Sequence, residues 1–152
     1  MEYQIIEDLK YNYTVFYQGK KFIKIIQKTV WLIGNRSQFY IDNVLVLETV
    51  TYSFFLWQKM EIQRCDQERK FDLFRKGLNY GLRNNEGDFT LSIGLFRRTM
   101  GKLYLNGVQI GEIKVSKTIS ADPWEFDVHF YQDNANYYFA IILFVMHLQI
   151  GL

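Results

Sequence analysis

The chemistry available to this 152-residue chain lies in two histidines, one cysteine and three groups of cations. His129 follows Glu125 and Asp127 in WEFDVHFY, a two-residue spacing that sets all three on one face of a strand. Such a trio has the makings of a weak metal site, and it is equally what the watered face of any half-buried strand looks like. His147 sits alone in a long apolar run, and neither histidine has a second at metal-ligand spacing. The chain carries no C-x-x-C, H-E-x-x-H, G-x-S-x-G or phosphate-loop pattern. Cys65, in QRCDQER, has no histidine nearby to make it a nucleophile and is assigned no role. No catalytic residue, metal or cofactor is therefore expected, and the chain reads as a non-enzyme.

The cations are Lys20, Lys21, Lys24 and Lys28; Arg69, Lys70, Arg75 and Lys76; and Arg97, Arg98 and Lys102. Converging lysines and arginines form charge-assisted hydrogen bonds to phosphate oxygens, so Lys20, Lys21, Lys24, Arg97, Arg98 and Lys102 are the candidate ligand residues, provided that the fold brings them to one rim. The competing reading is that they guard strand edges. Eighteen basic against 16 acidic residues give a net charge of +2, too little to expect a nucleic-acid partner.

What must position these groups is a mostly β structure. Aromatics reach 18% of the chain and Pro occurs once, a strand-favouring composition with no linker or disordered stretch, and the length fits one domain over residues 1–152. Asn106-Gly107 in GKLYLNGVQIGEIKV is a strong hairpin signal, because both positions tolerate positive φ. A two-residue turn pairs Leu105 with Val108, Tyr104 with Gln109 and Leu103 with Ile110; the later shift of the apolar set to Ile113 and Val115 calls for a bulge at Gly111. WEFDVHFY and DFTLSIGLF alternate cleanly, and YTVFY, FIKII, TVWLI, QFYI, VLVLETV and SFFLWQKMEI are short apolar runs between small polar breaks. Ten to twelve strands are expected.

The exception is the tail, NANYYFAIILFVMHLQIGL. Its apolar stretch of about a dozen residues falls short of the roughly 20 that a membrane-spanning helix requires, and it has no Lys or Arg flank. Asp133 or Asn134 can cap a helix over about 135–149, with Gly151 past its end. A helix apolar on every face must be buried on every face, so the strands must surround it. The expected fold is a closed antiparallel β-barrel around a central hydrophobic C-terminal α-helix, which disfavours a carrier with an empty interior.

The order of these features resembles the tubby-like superfamily: a meander of short strands, the G-K-x-Y-x-N-G-x-x-I-G-E-I hairpin, an alternating strand leading to D-N-A-N, and the closing helix FAIILFVMHL. That superfamily includes the tubby C-terminal domain, the LURP-one-related proteins and the phospholipid scramblases. The resemblance covers nearly the whole chain and implies about a dozen strands around one apolar helix. It also implies a binding role at anionic phospholipid, as in tubby's phosphoinositide site, although no residue here matches that site one for one. The alternative is a protein-interaction or scaffold domain that uses surface aromatics such as Phe55 and Trp57. With no signal-peptide pattern at MEYQIIEDLKYNY and a single cysteine, the expected location is the cytoplasm, peripheral at a membrane.

Overall fold

The computed structural model describes residues 1–150 apart from 31–33, 55–56, 78, 95–96 and 118–123; the side chains at 54, 57, 94, 97–100, 117 and 150 also lie outside the description. The chain runs as a meander of twelve strands: β1 (Glu2–Glu7), β2 (Tyr13–Tyr17), β3 (Lys20–Val30), β4 (Gly34–Ile41), β5 (Val44–Phe54), β6 (Trp57–Cys65), β7 (Asp72–Lys76), β8 (Asn79–Asn84), β9 (Gly87–Gly94), β10 (Arg97–Leu105), β11 (Val108–Lys117) and β12 (Glu125–Phe130). All described pairings are antiparallel, in the order β6-β5-β4-β3-β2-β1-β12-β11-β10-β9-β8-β7. Pairing of β1 with β12 joins the chain's two halves and curls the sheet into a nearly closed barrel, with β6 and β7 meeting at a seam.

Alternation decides what faces inward. Tyr3, Ile5, Val15, Ile23, Ile25, Phe39, Leu82, Phe89, Leu103, Ile113, Phe126, Val128 and Phe130 are all buried, with polar neighbours between them along each strand. Register shifts in the β2–β3, β4–β5, β5–β6 and β10–β11 pairs bend the sheet enough to curl. In the last of these pairs Leu105 faces Val108 and Tyr104 faces Gln109 as expected, but Leu103 faces Gly111, so the extra residue is Ile110. The glycine is needed for close approach: a Cβ at 111 would lie 2.5 Å from the carbonyl oxygen of His129 on β12.

The tail goes through the middle. Asn134 caps it, its side chain accepting from the backbone N–H of Asn136, and a 3-10 turn over Ala135–Tyr137 leads into α1 (Tyr138–Ile150). Every residue from Tyr137 to Met146 is buried, so the helix shows no polar face until its last turn. Its first rings fix the entry: Phe139 packs on Phe71 and Phe89, Tyr138 on Phe22, and Phe144 meets Phe126 edge-on farther along. Thirteen residues at about 1.5 Å each carry α1 roughly 20 Å. That is long enough to reach from one end of the barrel towards the other.

Candidate functional site

In a meander the connections alternate between two ends, and here the ends differ in chemistry. At the end where α1 enters, three hairpins turn on Gln18-Gly19, Asp42-Asn43 and Asn106-Gly107, and all six residues have positive φ. These are turns of the primed type, made by residues that tolerate that backbone. The opposite end, where α1 finishes, is here called the mouth. At that end the described positive-φ residues, Tyr11, Gly34 and Gly77, occur singly rather than as a pair within a turn.

The described connection at the mouth is Asp8-Leu9-Lys10-Tyr11-Asn12, between β1 and β2. Asp8 organises it: its Oδ1 accepts from the backbone N–H groups of Lys10 (2.7 Å) and Asn12 (3.0 Å), and its Oδ2 accepts from Asn12 Nδ2 (3.0 Å). Burial pushes the Asp8 carboxyl up, and the donors from Asn12 and Lys10 outweigh it and hold it below the ordinary value. The loop therefore presents Leu9 (79% exposed) and Tyr11 (62% exposed) on either side of Lys10. At the same end, Lys28 on β3 stands directly opposite Arg36 on β4, and Lys76 closes β7 at the other edge of the strand order. Arg36 lies 3.9 Å from Glu48, whereas Lys10, Lys28 and Lys76 form no ion pair among the described residues.

The expected rim does not form. Lys20 and Lys21 open β3 at the helix-entry end, and Lys24 lies farther along the strand between Thr14 and Tyr40. Arg97 and Arg98 open β10 at the mouth, on the far side of β2, β1, β12 and β11, and their side chains lie outside the description. Lys102 lies between Ser92 and Glu112, and Glu112 in turn accepts from Lys114 at 2.5 Å. What the mouth assembles instead is Lys10, Lys28, Arg36 and Lys76 with the strand position of Arg97 and Arg98. Lys10 and Arg36 escaped sequence reasoning, which grouped cations by proximity along the chain; the alternation of meander turns was the signal that sorts them by end.

Beneath the loop the barrel holds a cavity of about 400 Å³. The interior here is divided. Trp124 and Phe126 line one side with near-parallel rings, 6.2 Å between centroids, and Leu148 of α1 adds to that wall. The other side carries inward polar residues of β1–β4: Glu7, which accepts a 2.9 Å hydrogen bond from the Tyr13 hydroxyl, then Gln27, Thr29 and Asn35. Farther along the same inner faces, Ser37 pairs in register with Thr49, and their hydroxyls and that of Thr51 are buried without a partner. Gln149, on the cavity wall at the end of α1, is 9% exposed, and both its amide oxygen and nitrogen are likewise unpartnered.

The remaining reactive side chains are dispersed. His129 is on the outer face, its Nδ1 3.4 Å from Glu2 Oε1. His147 is half-buried one turn before the mouth, where desolvation lowers its pKa and favours the neutral ring. Burial raises the Cys65 thiol, which donates to the Arg69 carbonyl at 3.4 Å. Among the described residues no group of three His, Cys, Asp or Glu could hold a metal, and no helix is long and apolar enough to cross a membrane. Phe55 lies outside the described residues, as does the side chain of Trp57.

Compared with known proteins, the chain matches no family model, no curated protein and no solved structure. Its function has to be read from the mouth itself.

Proposed function

We propose that this chain is a non-enzymatic binding module of tubby-like architecture that docks its mouth on anionic phospholipid at the cytoplasmic face of a membrane. The observation that carries this reading is the Leu9-Lys10-Tyr11 tip, two exposed apolar side chains around a cation with no ion pair among the described residues, held out by the Asp8 hydrogen bonds. Apolar tips gain by entering the interfacial region, and nearby Lys and Arg gain about 1 kcal/mol each from an anionic surface. Lys28, Arg36, Lys76 and the strand positions of Arg97 and Arg98 lie at the same end. The helix-entry end has the opposite character, with turns of Gln, Asp, Asn and Gly. That division by end supports a protein that faces a membrane with one end of its barrel.

The test is co-sedimentation with vesicles of phosphatidylserine and phosphatidylcholine against phosphatidylcholine alone. The protein should pellet with the anionic vesicles at low salt and progressively less as salt rises. The double change Leu9→Asp and Tyr11→Asp should abolish binding without loss of fold, since both side chains are exposed. Failure of the wild-type protein to prefer anionic vesicles would sink the reading, and the apolar tips would then belong to a protein interface.

A further inference from the structure

A second binding site lies inside the mouth, behind the tip that meets lipid and sharing Lys10 and Tyr11 with it. The central helix fills the barrel along most of its length, but where α1 ends the interior opens into the cavity of about 400 Å³ described above, within the range of small-molecule sites. The mouth of a barrel is a frequent place for such a site. Three observations restrict the occupant.

The first is charge. Glu7 and Lys10 place one charge of each sign on the wall, and the other polar groups around them, Gln27, Thr29 and Asn35, are uncharged donors and acceptors. Nothing there prefers an anion, so this is no phosphate pocket. The second is the aromatic wall. Trp124 and Phe126 stack within 13° of parallel and give that side of the cavity an aromatic wall for a molecule with an apolar face of its own. The third is Gln149. A carboxamide offers one acceptor and two donors, and here the oxygen and the nitrogen both lack a partner although the side chain is nine-tenths buried. The group that satisfies both must present an acceptor and a donor side by side in one plane, as the edge of a nucleobase does to Gln or Asn.

We infer that the mouth cavity binds a small uncharged N-heterocycle with an adjacent donor and acceptor, of the nucleobase or lactam kind, its face against Trp124 and Phe126 and its edge on the Gln149 amide. The amide atoms are sealed from solvent, so a rotation of the Gln149 side chain towards the cavity accompanies binding.

The experiment is calorimetric titration of the full chain with adenine and uracil, with glucose and inorganic phosphate as contrasting probes. At least one heterocycle should bind, and phosphate and glucose should not. Gln149→Leu keeps the volume and removes the unpartnered amide, so it should unfold at the same or a higher temperature while losing about tenfold or more in heterocycle affinity, the equivalent of two net hydrogen bonds. Thr29→Trp plugs the mouth and should abolish binding. No heat with either base, glucose binding in their place, or undiminished binding by Gln149→Leu or Thr29→Trp each overturns the inference. Vesicle binding is read independently of all four results.

Discussion

The hydroxyl of Tyr80 on β8 accepts the backbone N–H of Met60 on β6 at 2.9 Å, a bond that crosses the seam where β6 and β7 form no ladder among the described pairings. Tyr80 is buried, and the Arg75 guanidinium lies 5.4 Å from its ring centre while its Nη2 donates to the Gln58 carbonyl at 2.6 Å. Two side chains thus tie β7 and β8 to β6 in place of backbone hydrogen bonds.

Tyr80→Phe should therefore cost about 1–3 kcal/mol, because it leaves the Met60 N–H buried without a partner. Urea unfolding gives the number, and hydrogen exchange locates it. Faster exchange confined to β6 and β7 is expected; unchanged protection at Met60 would show that the seam is held by other means.

The central helix gives a harsher prediction. Leu143 is 1% exposed and Ala140 fully buried, so neither position has a solvated direction to turn towards. Leu143→Asp should prevent folding, since an unpaired carboxylate in that interior costs more than the whole stability of a small domain. Ala140→Leu should cost about 1–3 kcal/mol by overpacking against the strands. A soluble, cooperatively unfolding Leu143→Asp chain would contradict the burial of α1.

At the Asn106-Gly107 hairpin, φ is 51° and 82°, the positive pair that the sequence predicts. Gly107→Val should destabilise by forcing a β-branched residue into that region. Asn106 has a second duty: its Oδ1 accepts from the Asp88 N–H at 2.9 Å and joins the hairpin to the start of β9. Asn106→Gly keeps the turn and loses the tie, so it should cost less than Gly107→Val. Thermal midpoints of the two variants decide the order.

Much of this barrel was legible because the helix-entry turns announce themselves. Gln18-Gly19, Asp42-Asn43 and Asn106-Gly107 are polar, break the apolar runs and need positive φ. The mouth end gives a weaker signal. SFFLWQKMEI reads as one run, yet Ser53 and Phe54 finish β5 and Trp57 starts β6, a reversal that no Gly, Asn or Pro marks. FIKII and the start of TVWLI read as two runs and form the single strand β3. Strands β1, β7 and β8 also escaped, because EYQIIE, DLFRK and NYGLRN are too short or too charged to alternate visibly. The candidate site was hidden for the same reason. Its cations come from four strands and a loop, and its buried polar residues look, one strand at a time, like ordinary exposed positions.

His147 makes the protein's stability depend on pH. Burial lowers its folded-state pKa below the ordinary value near 6.5, so in the acid range the unfolded chain binds the proton more readily than the folded one. Its contribution is fully present above the unfolded pKa and declines as pH falls from about 6.5 towards the folded pKa. Urea midpoints measured from pH 7.5 to pH 5 should fall more steeply for the wild-type chain than for His147→Leu. Equal slopes would show that His147 is solvated in the folded state.

The separation of the two ends allows the lipid reading to be tested by charge placement alone. Lys20 and Lys21 lie at the helix-entry end, while Lys10, Lys28 and Lys76 surround the mouth, and all five are exposed. Changing either set to Gln lowers the net charge and leaves the core untouched, so both variants should fold with near wild-type stability. A membrane that meets the mouth feels only the second set, because charges at the far end of the barrel stand more than a Debye length away at physiological salt, roughly 8 Å. The Lys10, Lys28 and Lys76 triple variant should lose about two decades of affinity for phosphatidylserine vesicles, at about 1 kcal/mol for each lysine, and its binding should vary less with salt. The Lys20 and Lys21 double variant should bind as the wild type does. If the two variants weaken in proportion to the charge removed, attraction is to the protein's overall charge and the mouth has no special part in it.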